Sequence, residues 1–138
     1  MIGLDTNVLA RYYIQDDADA EAKKQREAAR RLMESGKPLM VCKTVLLELE
    51  WVMRGYYKFS RAQIAGVLNH ILALPQVTVE DRAGIVQALS HGEAGLELAD
   101  ALHHSSYRDC DSMASFDDKQ FARRAKRMGL TPHVVVPG

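Results

Sequence analysis

Short runs that are typical of strands alternate with stretches of helical spacing from one end of the chain to the other. Ile2 to Leu4 opens the series and is too apolar to have a face in water; further runs follow at residues 39–42, 77–79, 111–116 and 134–136. Strands that are buried on both faces belong to parallel sheets covered by helices. The alternation therefore predicts an α/β fold, with a parallel sheet of about five strands and right-handed helical crossovers.

Capping residues and apolar periodicity place the helices between these runs. The predicted helices span about residues 6–13, 17–35, 44–57, 60–74, 81–89, 98–107 and 117–128. Four acids between residues 16 and 21 suit the first turn of the second helix, where carboxylates complement the helix dipole. Ser60 and Asp81 are expected to cap their helices, and residues 91–97 are expected to form a loop.

The composition is that of one globular domain, which we expect to span residues 1–138. Apolar residues make up 47% and charged residues 26%, and Lys plus Arg equals Asp plus Glu at 18 each. No overall basic field indicates a nucleic-acid partner, although a local patch would still bind one. Cys42 and Cys110 lack a C-x-x-C spacing and are expected to be small core residues in a reducing cytosol. No apolar run approaches the ~20 residues of a membrane span, so we expect a cytoplasmic protein without a membrane partner.

Three carboxylates stand where a strand gives way to a helix or close to a helix start. Asp5 directly follows the first run, Asp117 directly follows the fourth, and Asp100 lies among apolar residues near the start of its helix. Ligands of open parallel sheets gather at the carboxyl ends of the strands. An Asp at a helix start is also the residue that caps the first turn, so each acid alone has a structural explanation.

A fourth acid, Glu48, is distinguished from its neighbour Glu50 by helical spacing. Glu48 has Trp51 and Val52 three and four residues away, which predicts an inward-facing apolar stripe. Glu50 has Arg54 four residues later, the spacing of an exposed ion pair. The pattern predicts that Glu48 points inward and that Glu50 lies on the surface.

Four acids gathered at one end of a sheet would repel one another unless cations lay between them. Oxygen ligands from Asp and Glu favour hard divalent ions, Mg²⁺ or Mn²⁺, which retain several waters and are completed by substrate phosphates. Such ions activate water and stabilise the leaving oxygen of a phosphodiester. The spacing alone is equally compatible with helix capping and with a metal site.

Four pieces of the sequence, taken in order, carry a family resemblance. They are residues 2–9 (IGLDTNVL), 46–53 (LLELEWVM), 98–103 (LADALH) and 115–117 (SFD), and together they span nearly the whole chain. The chain resembles the PIN-domain ribonucleases, and most closely the VapC toxins of bacterial toxin–antitoxin pairs. The resemblance implies a PIN-like, Rossmann-like sandwich.

The resemblance also implies a set of site residues. The acids implied to be catalytic and to hold the metal are Asp5, Glu48, Asp100 and Asp117, with Asn7 and Ser115 supporting them through hydrogen bonds. Ser115 stands where many relatives carry Thr, and the hydroxyl is retained. Asp118 directly follows Asp117, which leaves open which of the two faces the metal; we favour Asp117 because it directly follows the strand.

By the same resemblance, the chain is expected to be an Mg²⁺- or Mn²⁺-dependent endoribonuclease and the toxin of a VapBC-type pair. The implied partners are RNA and an antitoxin protein. The helices between residues 17 and 74 carry more aromatic and aliphatic side chains than one small sheet needs, so we also expect a homodimer. Trp51, Tyr56 and Tyr57 suit such a surface, although a core position is equally compatible with Trp51. The alternative is a non-catalytic PIN-like module that binds RNA or protein, which would be expected to have lost one of the four acids.

Two further features have structural interpretations that compete with functional ones. His103 lies three residues after Asp100, but hard-ion sites rarely use imidazole, so we expect a packed or hydrogen-bonded side chain. His104 is expected at the surface. The basic run at residues 123–127 is expected to be a solvated helix face rather than a contact to RNA phosphates.

Overall fold

A computed structural model describes residues 1–16 and 18–138, and Asp17, one of the acids expected in the first turn of the second helix, lies outside this description. Within these residues the strands are β1 (Ile2–Gly3), β2 (Leu39–Val41), β3 (Val77–Val79), β4 (Ser112–Ala114) and β5 (His133–Val135). The α-helices are α1 (Thr6–Tyr13), α2 (Ala20–Met33), α3 (Lys43–Trp51), α4 (Arg61–Ala73), α5 (Arg82–Glu93), α6 (Leu98–Ser106) and α7 (Arg123–Arg127). Two π-helical turns complete the described elements, Val52–Tyr56 after α3 and Asp118–Ala122 before α7.

The described chain divides into two compact units, Met1–Glu80 and Asp81–Gly138. In the first unit the strands are hydrogen-bonded in the order β1-β2-β3, and Met40 pairs with both Gly3 and Thr78. In the second unit β4 pairs with β5. All of these pairings are parallel, which confirms the predicted α/β class. The strands expected in one sheet are hydrogen-bonded as a sheet of three and a sheet of two.

Burial in the first sheet follows the position of each strand. Leu39 and Val41 on the central strand β2 are fully buried, and burying an aliphatic side chain of this size stabilises the fold by ~1.5–3 kcal/mol. Ile2 is 38% exposed, so the expectation that the first run has no face in water is wrong for this residue. The reason is that β1 lies at the edge of its unit's sheet and has a strand partner on one side.

Side-chain caps fix where the helices of the first unit begin. Asp19 caps α2 by accepting the N–H of Ala22 at 2.8 Å. Ser60 caps α4, as predicted, by accepting the N–H of Gln63 at 3.1 Å, and the Gln63 side chain accepts the N–H of Ser60 at 2.8 Å. This reciprocal capping box satisfies two donors that a helix start otherwise leaves unpaired.

The second unit opens with the predicted cap of α5. The Asp81 carboxylate accepts the N–H of Gly84 at 3.3 Å and two bonds from the Arg108 guanidinium at 2.7 and 2.8 Å. A bidentate Arg–carboxylate pair fixes both groups in one geometry. The helix then continues to Glu93, so the loop expected from residue 91 begins later than predicted.

The two histidines of α6 exchange their expected environments. His104 is fully buried, and its Nε2–H donates to the carbonyl oxygen of Pro132 at 2.8 Å. Its ring also lies 6.1 Å from that of His91 on α5. His103 is exposed. The surface position expected for His104 is wrong, and so is a packed position for His103, because the face of α6 that packs on α5 includes His104 and excludes His103.

Three other environments differ from expectation or were left open. Trp51 is 61% exposed, which decides against a core position. Cys110 is exposed and Cys42 is half-buried, so the expectation of two core cysteines is wrong. Among the described residues, no helix has the length and apolar character needed to cross a bilayer.

Candidate active site

Asp117, which follows β4 in the second unit, makes hydrogen bonds through both its backbone N–H and its carboxylate. Its backbone N–H donates to the Ser115 hydroxyl at 3.1 Å. Its carboxylate Oδ1 accepts the N–H of Gln120 at 3.0 Å. Ser115 therefore orients the backbone of Asp117, and one oxygen of the exposed carboxylate caps the π-helical turn.

Asp100 occupies the first turn of α6 in the same unit and is half-buried. Burial raises the pKa of its carboxyl group, and the negative charge of Asp117 raises it further, while His103 and Arg124 act in the opposite direction. The effect of the Asp117 charge means that Asp117 lies within electrostatic reach of Asp100. A half-buried carboxylate whose ionisation is disfavoured by burial and by a second negative charge is a place where a cation would be stabilised.

Asp118, the acid next to Asp117, has a partner of its own. Its Oδ2 accepts the Nε–H of Arg123 at 2.9 Å, and the Nη2 of Arg123 lies 2.8 Å from the same oxygen. The carboxylate of Asp118 is therefore engaged by a cation, whereas the charge of Asp117 acts on Asp100. This difference supports the earlier preference for Asp117 over Asp118.

The basic run of α7 contains one residue that sequence reasoning did not separate from the others. Arg123, Lys126 and Arg127 are exposed, as expected for a solvated face. Arg124 is half-buried, and its Nη1–H donates to the carbonyl oxygen of Gly95 at 3.0 Å. It thereby ties the helix that follows Asp117 to the loop that leads into α6. The buried Ala125 beside it was the available signal that part of this run faces inward.

Asp5 in the first unit is the N-cap of α1 and is exposed. Its Oδ1 accepts the N–H of Thr6 at 2.7 Å, so one carboxylate oxygen caps the helix. Asn7, expected to support the acids, lines a cleft between α1 and α2 together with Arg11. Asp5 thus combines the capping explanation with an accessible carboxylate.

The predicted orientations of Glu48 and Glu50 are reversed in the structure. Glu48 is exposed, whereas Glu50 is 6% exposed. Glu50 accepts the Nε–H of Arg54 at 2.7 Å. The prediction was wrong because the i, i+4 pair was assumed to lie in water. Arg54 instead reaches its partner from a half-exposed position, with its aliphatic stem able to cover apolar surface.

The donor chemistry of the four acids can be compared with the needs of a divalent ion. Carboxylate oxygens fit Mg²⁺ or Mn²⁺, and Asp100 and Asp117 offer two such groups within electrostatic reach. Within each unit, over residues 1–16, 18–80 and 81–138, no three His, Cys, Asp or Glu side chains come together as a metal site requires. The pair in the second unit therefore fits part of a coordination shell that is completed by water and phosphate.

A comparison with known protein families identifies the family of the chain. Residues 2–127 match the PIN domain. This range covers most of the 138 residues and includes all four acids. The chain belongs to the PIN-domain family. The predicted family is confirmed, while its VapC subgroup stays a prediction, and a search of curated proteins finds no match.

Membership of the PIN family sets the class of activity. PIN domains are generally nucleases, which hydrolyse phosphodiester bonds, and they typically use divalent metal ions. The substrate class is therefore nucleic acid. The identity of the ion, the kind of nucleic acid and the biological partner go beyond this assignment.

Proposed function

We propose that this PIN domain is an Mg²⁺- or Mn²⁺-dependent endoribonuclease. The metal ligands in this proposal are Asp5, Glu48, Asp100 and Asp117, with Asn7 and Ser115 in supporting positions. The observation that carries the proposal is the PIN-family match over residues 2–127, a range that includes all four acids. The charge of Asp117, which acts on the half-buried Asp100, supports a cation-binding place in the second unit.

A bound divalent cation would supply Lewis acidity toward the phosphate and toward water. The protein itself positions the carboxylates that would bind the cation. Ser115 orients Asp117 through its backbone N–H, and α6 presents Asp100 in its first turn. Water attacks the phosphorus in line, the bond to the 3′ oxygen breaks, and that oxygen takes up a proton. The products end in a 5′-phosphate and a 3′-hydroxyl, and no Ser, Cys or His nucleophile is required.

Metal dependence and the role of Asp117 are tested together. Purified protein with Mg²⁺ or Mn²⁺ should cleave RNA and should stop when a chelator is added. Asp117→Asn should lower the rate by orders of magnitude, because it removes a charged ligand and retains the shape. Asp118→Asn is the matched control and should cleave normally, because Asp118 is engaged by Arg123. Cleavage unaffected by chelator, or products ending in cyclic phosphate, would contradict the mechanism.

We further propose that the chain is the toxin of a VapBC-type pair, acts in the cytoplasm and forms a homodimer. The exposed aromatic residues Trp51 and Tyr56 in the first unit support a protein-binding surface. An Arg or Lys from an antitoxin could compete with metal for the carboxylates. Expression without the antitoxin should stop cell growth, and expression of Asp117→Asn should not. Normal growth with abundant folded wild-type protein would favour the non-catalytic alternative.

A further inference from the structure

A cleft of about 310 Å³ lies between α1 and α2 of the first unit. Its polar lining comes from Asn7, Arg11 and Gln25. Its apolar lining includes Val8, Ala28 and Leu32. Small-molecule sites typically combine an apolar floor with a few oriented polar groups, and a volume of roughly 300 Å³ is at the lower end of their range.

The guanidinium of Arg11 is held in place at this cleft. Its Nε–H donates to the side-chain oxygen Oε1 of Gln25 at 2.9 Å. The side-chain nitrogen Nε2 of Gln25 donates in turn to the Glu21 carboxylate at 3.3 Å. Both ends of the Gln25 amide are thus engaged in positioning Arg11. The Nε edge of the guanidinium faces Gln25, so the two terminal nitrogens are the groups that can meet a ligand.

The geometry of α1 connects the cleft to a proposed metal ligand. Asn7 and Arg11 are four residues apart on one face of the helix, a rise of about 6 Å. Asp5 caps the same helix two residues before Asn7. A ligand in the cleft would therefore lie beside the N-terminal end of α1, where the Asp5 carboxylate is exposed.

The lining selects a nucleotide more than a peptide side chain. A base has flat apolar faces and a polar edge, and unpaired RNA bases are recognised by stacking on apolar or guanidinium surfaces and by hydrogen bonds to that edge. The Asn7 amide offers one donor group and one acceptor of the kind that reads base edges. Arg11 offers a fixed cation for the attached phosphate.

We propose that the α1–α2 cleft is a subsite that binds one unpaired nucleotide of the RNA substrate next to the bond that is cut. Asn7 contacts the base edge, Arg11 contacts the phosphate, and Val8 and Leu32 form the apolar floor. The inference rests on the proposed RNA substrate and adds a determinant of sequence preference to it.

The test measures RNA binding in chelator, so that hydrolysis does not enter the readout. Fluorescence anisotropy with short single-stranded A, C, G and U oligonucleotides is recorded at several salt concentrations. Arg11→Gln should weaken binding by about fivefold or more, because it removes a hydrogen bond between charged groups. It should also lower the slope of log K against log salt by about 0.7, the value for one phosphate on a single strand. Arg11→Lys should retain the slope. Arg31→Gln, an exposed cation on α2 that does not line the cleft, is the matched control and should leave binding within about twofold.

Two further variants separate base reading from charge. Asn7→Ser should reduce the differences in affinity among the four oligonucleotides while the salt slope stays unchanged. Ala28→Phe places a large side chain at an exposed lining position and should block the cleft, with the melting temperature confirming that the protein folds.

The failure of the subsite can be distinguished from the failure of the proposed function. Wild-type affinity and salt slope in both Arg11→Gln and Ala28→Phe would overturn the subsite, even if RNA is cleaved. Loss of a bound protein partner in these variants, with RNA binding intact, would identify a protein groove and would also overturn it. RNA binding that depends on Arg11 and Asn7 in a protein that does not cleave RNA would support the subsite and contradict the proposed hydrolysis.

Discussion

Replacing Glu50 with Gln is expected to destabilise the first unit, whereas replacing Glu48 with Gln is expected to leave its stability nearly unchanged. Glu50 is 6% exposed and accepts the Nε–H of Arg54 at 2.7 Å, while Glu48 is exposed. The two residues share a helix and a side-chain type. Differences in helix propensity therefore cancel in the comparison. The difference in stability between the two variants then reports the burial of Glu50 and its ion pair with Arg54.

The expected loss in the free energy of unfolding of Glu50→Gln lies between two limits. An exposed helical pair contributes ~0.3–0.5 kcal/mol, and removing one partner of a fully buried pair costs ~3–5 kcal/mol. The side chain of Arg54 is 51% exposed, so water solvates much of the guanidinium and the upper limit does not apply. Gln retains an amide oxygen that can accept from Arg54, so the substitution removes charge and preserves a hydrogen bond. We expect a loss of ~1 kcal/mol, the typical difference between charged and neutral hydrogen bonds.

Thermal and urea unfolding in chelator measure this difference. A loss of ~1 kcal/mol should lower the Tm of Glu50→Gln by about 2–8 °C, while Glu48→Gln should stay within ~0.5 kcal/mol of wild type. Below both transitions, Glu50→Gln should cleave RNA normally and Glu48→Gln should lose activity by orders of magnitude. A lower Tm for Glu48→Gln than for Glu50→Gln would refute the burial argument. Full cleavage by Glu48→Gln would refute its assignment as a metal ligand.

Four further substitutions test other features of the two units. Burial lowers the pKa of His91 below its ordinary value of 6.5, so the unfolded chain binds the proton first and the free energy of unfolding should fall as the pH drops below about 6.5; His91→Gln should show a smaller fall in urea titrations at low pH. Ala exceeds Gly in helix propensity by ~1 kcal/mol, yet Gly84→Ala should lower the Tm because its methyl group would overlap the Asp81 carboxylate, whereas Gly66→Ala, with nothing within 4 Å, should raise it. Burial raises the pKa of Asp100, so its ionisation opposes folding at neutral pH. Asp100→Asn should therefore raise the Tm in chelator, and added Mg²⁺ should raise the Tm of wild type more than that of the variant.

Features that depend on residues close together in the sequence were predictable. The caps of α4 and α5 by Ser60 and Asp81 follow from hydrogen bonds that span three residues, and both are present. The strand runs were predicted to within two residues of their observed limits because an apolar run between turn signals is itself a local pattern. The parallel α/β class then followed from the alternation of these elements.

Features that depend on which helix face meets another element were not predictable in the same way. The sequence predicts that Glu48 points inward because Trp51 and Val52, three and four residues later, extend an apolar stripe. Trp51 is 61% exposed, and from Val52 the chain changes to π-helical spacing, so these neighbours do not report the phase of α3. The prediction for His104 was wrong for a related reason. His104 directly follows the exposed His103, and only the position of α5 distinguishes the two side chains.

The π-helical turn after β4 explains how two adjacent carboxylates acquire different partners. In this turn the N–H of Ala122 donates to the carbonyl oxygen of Asp117 at 3.0 Å, a bond across five residues. The same spacing aligns Asp118 with Arg123, which an α-helix would turn well away from each other, and the two form an ion pair at 2.8 Å. Asp118 is thereby paired with Arg123, whereas the charge of Asp117 acts on Asp100. Because π-helical turns lower the regularity of hydrogen bonding and occur frequently at functional sites, this turn is better understood as the device that leaves Asp117 available to a cation than as an irregularity of the last helix.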